Sequence, residues 1–173
     1  MTIIRAIIFT ILVPCTIAIY IPRWLAQSYP TQIEVEVLRY VGLPLMLVGF
    51  LFYLFSAIAF VVKGGGTPAI WFTKPVSFLI GEEPGTLVSQ GLYRFTRNPM
   101  YVGVVGVVLG EALWFEKEVL FFYVILLWLL FHLVIVFIEE PHLKMKMGEE
   151  YEQYLNSVPR WMGRRSFIDR HHL

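Results

Sequence analysis

Between Gly91 and Gly103 the chain reads GLYRFTRNPMYVG, with Arg94, Arg97, Tyr93, Tyr101 and the Asn98-Pro99 step set directly before an apolar run. Two further polar clusters stand apart from it: Glu139 and Glu140 at the end of another apolar run, and Arg160 in VPRW. A pair of carboxylates at the C-terminal end of a helix opposes the helix dipole and calls for a cation. Arg97 or Arg160 could supply it as a structural ion pair, or a positively charged ligand could. The question for the fold is whether these three clusters meet.

The elements that must position them are membrane helices. The 173 residues are 57% hydrophobic and only 16% charged, against about 25% charged in soluble domains, and mean hydropathy is +0.66. The composition predicts an all-α integral membrane bundle forming one domain over residues 1–173. A net charge of +1 supplies no field to recruit nucleic acid, and the basic–aromatic interleaving of single-strand binders is absent. Cys15 is the single cysteine, so no intrachain disulfide or cysteine-rich metal site can form. His171 and His172 lack the further ligands of a structural zinc, and no metal site is expected.

A spanning helix needs about 17–25 mainly apolar residues. Four segments qualify: Ile3 to Ile21, Val37 to Val62, Met100 to Phe115 and Val119 to Ile138. The first is too long for a signal peptide and no small-x-small cleavage site follows it. Bends are expected at Pro14 and Pro44. Glu116, Lys117 and Glu118 alone separate the last two spans, which predicts a tight helical hairpin. That hairpin brings Arg97, Asn98 and Tyr101 close to Glu139 and Glu140. Gly103, Gly106 and Gly110 recur on one face of the third span, and Gly42, Gly49 and Ser56 recur every seven residues along the second. Small residues so spaced let helix backbones approach closely in lipid.

In this arrangement eleven Lys and Arg fall on one side and three, Arg23, Arg39 and Lys117, on the other, together the 14 of the chain. The positive-inside rule then puts both termini in the cytoplasm of a multi-pass membrane protein, in a cell inner or plasma membrane or the endoplasmic reticulum. The 64–99 connection is too long for a plain loop. Its apolar residues Ile70 to Ile80 are expected to lie on the membrane interface. After the fourth span, Leu143, Met147, Tyr151, Tyr154, Leu155 and Val158 recur at helical spacing, which predicts an amphipathic helix, broken near Gly148, roofing the cytoplasmic end.

GLYRFTRNPMYVG, the hydrophobic hairpin and EEPHLKMKMGEEYEQYLNSVPRW together resemble the isoprenylcysteine carboxyl methyltransferase and phospholipid N-methyltransferase superfamily, over about residues 60–162. The upstream GGGTPA resembles a stretch of its prokaryotic members. The resemblance implies an S-adenosyl-L-methionine-dependent methyltransferase with its cofactor at the cytoplasmic end of the bundle. On the matching positions, Tyr93, Arg97, Asn98, Pro99 and Tyr101 would shape the cofactor pocket and Glu139 with Glu140 would hold the cofactor. Gly64 and Gly66 would answer to a Gly-x-Gly of the phospholipid branch. Many relatives carry His where this chain has Asn98; the change keeps a hydrogen-bonding group and removes a titratable base, so proton abstraction is not assigned to it.

Chemistry agrees with that reading. Methyl transfer from a sulfonium is an in-line displacement, favoured by alignment in a water-poor pocket. Carboxylates such as Glu139 and Glu140 suit the ammonium of the methionyl moiety, the faces of Tyr93 and Tyr101 suit its cation or adenine, and Arg97 or Arg160 could take its carboxylate. The acceptor, a lipophilic or small carboxylate, thiol or phospholipid amine, would arrive laterally from the membrane. Arg97, Asn98, Glu140 and Arg160 are the candidate catalytic residues. Arg160, His132 and Tyr154 are candidates for substrate contact, although His132 equally suits a hydrogen bond to a neighbouring helix and Tyr154 roof packing. Glu111 is expected to snorkel or to pair near Lys117. Two other classes compete: a nicotinamide-dependent membrane reductase of sterol-reductase-like architecture, whose members are generally longer with more spans, and a non-catalytic membrane subunit or transporter, whose broken or repeated helices the sequence does not display.

Overall fold

The computed structural model describes residues 2–64 and 85–162. The expected interfacial segment Ile70–Ile80, Gly66, Lys74, Arg164, Arg165, Arg170 and the His171–His172 pair lie outside the described residues. Within them the chain is helical, with no strand beyond an isolated bridge between Gln32 and Lys117. Helices α1 (Ile3–Ser28), α2 (Glu36–Lys63) and α4 (Glu118–Met147) are each long and apolar enough to cross a membrane. Helix α3 (Pro99–Phe115) is as apolar but has 17 residues, about 25 Å at 1.5 Å per residue against a hydrocarbon layer of roughly 30 Å. A shorter amphipathic helix, α5 (Glu149–Ser157), follows. The architecture is all-α, with three helices of spanning length and α3 beside them.

Outward faces of the long helices carry exposed Ile4, Leu47, Phe122 and Ile125, the surface expected of helices solvated by lipid. Inside, the most extensive packing is between α2 and α3, and glycine makes it possible. A methyl group on Gly42 would lie 2.6 Å from the Gly110 carbonyl oxygen, and one on Gly49 would lie 2.6 Å from that of Gly103. The converse substitutions meet the same walls at 2.6 Å. The two backbones therefore touch at two levels, antiparallel, and only hydrogen fits between them. Ser56 extends the series, buried with its Oγ donating to the Phe52 carbonyl at 2.6 Å.

Three helices widen into π turns, at Thr16–Tyr20 of α1, Phe60–Gly64 of α2 and Ile135–Glu139 of α4. Two of these end one residue short of a proline, Pro22 and Pro141. Proline lacks an N–H and its ring collides with the carbonyl four residues back; those carbonyls, of Ala18 and Phe137, lie inside the widened turns, which relieve the collision without ending the helix. Of the two prolines at which bends are expected, Pro14 directly follows an interruption of the regular helix at Val13, whereas Pro44 stands inside the uninterrupted helical stretch Arg39–Ala59.

Helix α4 consequently runs on through Pro141 to Met147. Glu139 and Glu140 lie within a continuous helix, not at its C-terminal end, so the dipole argument for their needing a cation does not apply. At the far end of the molecule, α3 stops at Glu116 in the left-handed conformation (φ 54°) and α4 restarts at Glu118, the expected hairpin. Glu116 pairs with Arg39 at 3.3 Å and its carbonyl accepts from the Ile33 amide at 3.0 Å. Lys117 donates to the Pro30 carbonyl at 3.1 Å, away from Glu111, whose Oε2 is buried without a hydrogen bond among the described residues.

The roof forms as the spacing predicts. Tyr151, Tyr154 and Val158 pack with Leu87, Leu143, Met147 and Leu155; the turn is made at Gly148, whose φ of +56° suits glycine.

The α2–α3 contact gives a paired test. Gly49→Ala drives a Cβ into backbone and is expected to cost roughly 1–3 kcal/mol of stability, whereas Gly106→Ala, with its nearest neighbour 3.5 Å away, should unfold at or above the wild-type temperature. Thermal unfolding of the two purified variants in detergent checks the pair.

Candidate active site

A cavity of about 310 Å³ opens where all four long helices and the roof meet, within the range of small-molecule sites. Its inner part is apolar: Phe9, Val13 and Ile17 of α1 face Val104 of α3 and Phe131 and Ile135 of α4. Its other end is polar, with Tyr93, Arg97, Asn98, Tyr101 and Glu139 under Tyr151 and Tyr154. Each π turn contributes to the wall, through Ile17, Phe60, and Ile135 with Glu139. The fold therefore joins the three polar clusters of the sequence at one place.

The two glutamates have divided roles. Glu140 is held by two guanidiniums: Arg160 grips it with Nε at 2.7 Å and Nη2 at 3.0 Å, and Arg97 Nη1 lies 2.9 Å from the same Oε1. Glu140 does not line the cavity. Glu139, one residue earlier, does, and accepts a hydrogen bond from the Tyr101 hydroxyl. No cation pairs with Glu139 among the described residues. Arg97 is 8% exposed and lines the cavity. Its contact with Glu140 is close but not aligned as a hydrogen bond, and its Nε and Nη1 are buried with no hydrogen-bond acceptor among the described residues. One buried carboxylate and one buried guanidinium, both short of partners, thus border the same space.

The segment 158–161 works as a strap. Arg97 N donates to the Pro159 carbonyl at 2.9 Å, and both Thr96 Oγ1 and Asn98 Nδ2 donate to the Arg160 carbonyl at 3.0 Å. These backbone carbonyls fix the start of α3, and Pro99 at the first turn of α3 is buried. The Val-Pro-Arg element thereby positions Arg97 and delivers Arg160 to Glu140. Asn98 lines the cavity while its amide is committed to the strap. Trp161 continues the strap along α4, donating from Nε1 to His132 Nδ1 at 3.2 Å. His132, Trp128 and Trp161 form a three-ring cluster, with His132 at ring-centroid distances of 5.5 and 6.4 Å from the two indoles and the indoles 5.8 Å from each other.

Each candidate residue can therefore be placed. Tyr93, Arg97, Asn98, Tyr101, Glu139 and Tyr154 border the cavity; Pro99, His132, Glu140 and Arg160 do not. His132 makes the hydrogen bond that was its alternative reading, though to the strap and not to a helix. Tyr154 combines both expectations, since it packs in the roof, faces the cavity and donates to the Tyr93 carbonyl at 2.7 Å. Burial pushes the Tyr93 hydroxyl well above the usual phenol range, with Tyr154 and Glu139 adding to the shift. Burial likewise pushes Tyr151 up to about 12, against the opposing pull of Arg97. These phenols stay neutral near pH 7 and act as donors and aromatic faces, not as bases.

Sequence reasoning missed the wall made by α1 and its link to α2, where Thr10 and Tyr53 join hydroxyl to hydroxyl at 2.7 Å. Thr10 is held to its own helix by a bond to the Ala6 carbonyl at 2.8 Å, so Tyr53 is the donor between the two. A hydroxyl within an otherwise apolar span was the available signal.

Fold and cavity together define a helical protein with membrane-spanning helices and a cavity whose polar end continues into an apolar chamber. Residues 37–150 match the model of the phospholipid methyltransferase family. The match covers well over half of the chain, which belongs to that family and is a membrane methyltransferase. It begins near the start of α2 and ends in α5, so it takes in the polar cluster before α3 and both glutamates, and leaves out α1 and the strap. No curated protein and no solved structure matches the chain.

Removing Glu140 leaves two guanidiniums unpaired, one of them buried, which typically costs about 3–5 kcal/mol. With the Arg160 side chain 31% exposed, Glu140→Ala is expected at the lower end of that range. Glu139→Gln should leave thermal stability within about 1 kcal/mol of wild type. Comparing the unfolding midpoints of the two variants checks the division of roles.

Proposed function

We propose that this chain transfers a methyl group from S-adenosylmethionine to a lipophilic acceptor that enters from the membrane. The observation that carries the reading is the pair of under-partnered groups bordering one cavity, the Glu139 carboxylate and the Arg97 guanidinium. Their charges complement an amino acid's ammonium and carboxylate, and the cofactor's methionyl end has both. The residues present therefore fit the group. Tyr93, Tyr101, Tyr151 and Tyr154 surround that end with aromatic faces, which suit a sulfonium or an adenine ring.

When bound, the cofactor supplies an electrophilic methyl group on a cationic sulfur. The chain's part is to bind and align. Glu139 takes the ammonium, oriented by the Tyr101 hydroxyl. Arg97 takes the carboxylate, held in place by Glu140 and by its amide bond to the strap. Glu140, Arg160 and Asn98 are positioning residues that act through Arg97. The apolar chamber from Phe9 to Ile135 excludes water and admits the acceptor's hydrocarbon. Because the family is that of phospholipid methyltransferases, a phospholipid amine is the first acceptor to test; an isoprenylcysteine-like carboxylate and a thiol follow. The polar end of the cavity, the strap and both termini are assigned to the cytoplasmic side, where the soluble cofactor is available.

Purified protein should bind S-adenosylhomocysteine and not NADPH in isothermal titration. Glu139→Gln should weaken that affinity at least tenfold, as loss of one partner of a buried charge pair does, without loss of fold. Incubation with isotopically labelled methyl donor and a membrane lipid extract should place the label on a lipid. Wild-type affinity in Glu139→Gln, or NADPH binding in place of S-adenosylhomocysteine, defeats the reading.

A further inference from the structure

A second recess lies between the end of α2 and the turn that precedes α3. It is lined on α2 by Phe55, Ser56, Ala59 and Lys63 and across from them by the Gln90–Phe95 turn, and it encloses about 440 Å³. Tyr93 borders both spaces and forms the wall between them. Two features set this recess apart from an ordinary groove between a helix and a loop.

The first is its charge. Lys63 and Arg94 line it and no carboxylate does. Among the described residues Lys63 hydrogen-bonds the neutral Gln90 side chain and carries the Thr86 hydroxyl on its carbonyl, and neither its charge nor that of Arg94 has a counter-ion there. The second is its position. Lys63 closes a spanning helix, the depth at which lipid headgroups lie, while Phe55 and Phe95 stand 57% and 69% exposed at the same rim. Two cations without a counter-ion among the described residues, at headgroup depth and next to exposed aromatic side chains, are complementary to a phosphate that carries an acyl chain. Basic pockets of this kind beside membrane helices hold anionic headgroups.

We propose that the recess between the end of α2 and the Gln90–Phe95 turn is a binding site for one anionic phospholipid, its phosphate held by Lys63 and Arg94 and its chain lying along Phe55 and Ala59. The site is separate from the methyl-transfer cavity and stands or falls independently of the proposed reaction. Because Tyr93 borders both spaces, a lipid seated there lies against the shared wall.

The test is native mass spectrometry of the full-length protein after exposure to equal amounts of phosphatidylglycerol and phosphatidylcholine with the same chains. The wild type should retain one phosphatidylglycerol in preference to phosphatidylcholine. Lys63→Gln with Arg94→Gln should lower that retention roughly 20-fold, about fivefold for each cation lost near a membrane surface. The charge-preserving pair Lys63→Arg with Arg94→Lys should keep it. Both double variants are first shown to elute as monodisperse protein; a neutralised variant that does not is replaced by Arg94→Gln alone, for which about a fivefold fall is expected. Equal retention of the two lipids, wild-type retention in the neutralised variant, or displacement of the lipid by millimolar inorganic phosphate overturns the assignment.

Discussion

The site depends on the capture of Glu140 by two arginines far apart in the sequence, one from mid-chain and one from near its C-terminal end. Arg97 precedes α3 and Arg160 lies in the strap, and both reach the same carboxylate from within 3 Å. This contact fixes three segments against one another: the start of α3, the middle of α4 and the chain beyond α5. Ion pairs of this sort gain little net stability, because desolvation offsets the attraction. What they provide here is registry. With Glu140 satisfied, its neighbour Glu139 faces the cavity with no cation paired to it among the described residues, and Arg97 keeps donors that find no acceptor among them. A single carboxylate shared by two guanidiniums thus creates the unmet charges from which the binding reading follows.

That arrangement needs a scaffold able to bring helices close at one place and hold them apart at another. Glycine does the first, since α2 and α3 touch backbone to backbone at Gly42–Gly110 and Gly49–Gly103. The π turns do the second, and each of the three contributes lining to the cavity. A widened turn carries an extra residue and redirects the side chains that follow it, which explains why such turns so often lie at functional sites. In α4 the widening also carries the helix through Pro141, so Glu139 and Glu140 sit on a continuous rigid element and not on a fraying end. The result is one chamber with a polar end and an apolar end.

Much of this was legible from residue types. Four apolar runs, the three-residue break at 116–118, the glycine spacing and the apolar stripe through Tyr151 and Tyr154 each specify a local or nearest-neighbour relation, and all reappear. Less legible was what depends on backbone irregularity and on distant partners. Nothing in the sequence marks Glu139 and Glu140 as different, because neighbouring residues on a helix point some 100° apart and only the packing decides which side is the cavity. His132 drew attention as an ionisable group in an apolar run; its partner, Trp161, lies beyond α5, and no periodicity connects them. The α1 wall carries no motif because it works by shape.

The sequence by itself determined the solvent, the helices and which polar residues had to be accounted for, since hydropathy and spacing act over a few turns and are properties of the chain alone. Tertiary structure decided which of those residues share a cavity, which neutralise one another and which border the cavity without an ion-pair partner among the described residues. The physical reason is that charge compensation is settled by distances of about 3 Å between side chains far apart in the chain, and those distances exist only once α3, α4 and the strap have been brought together.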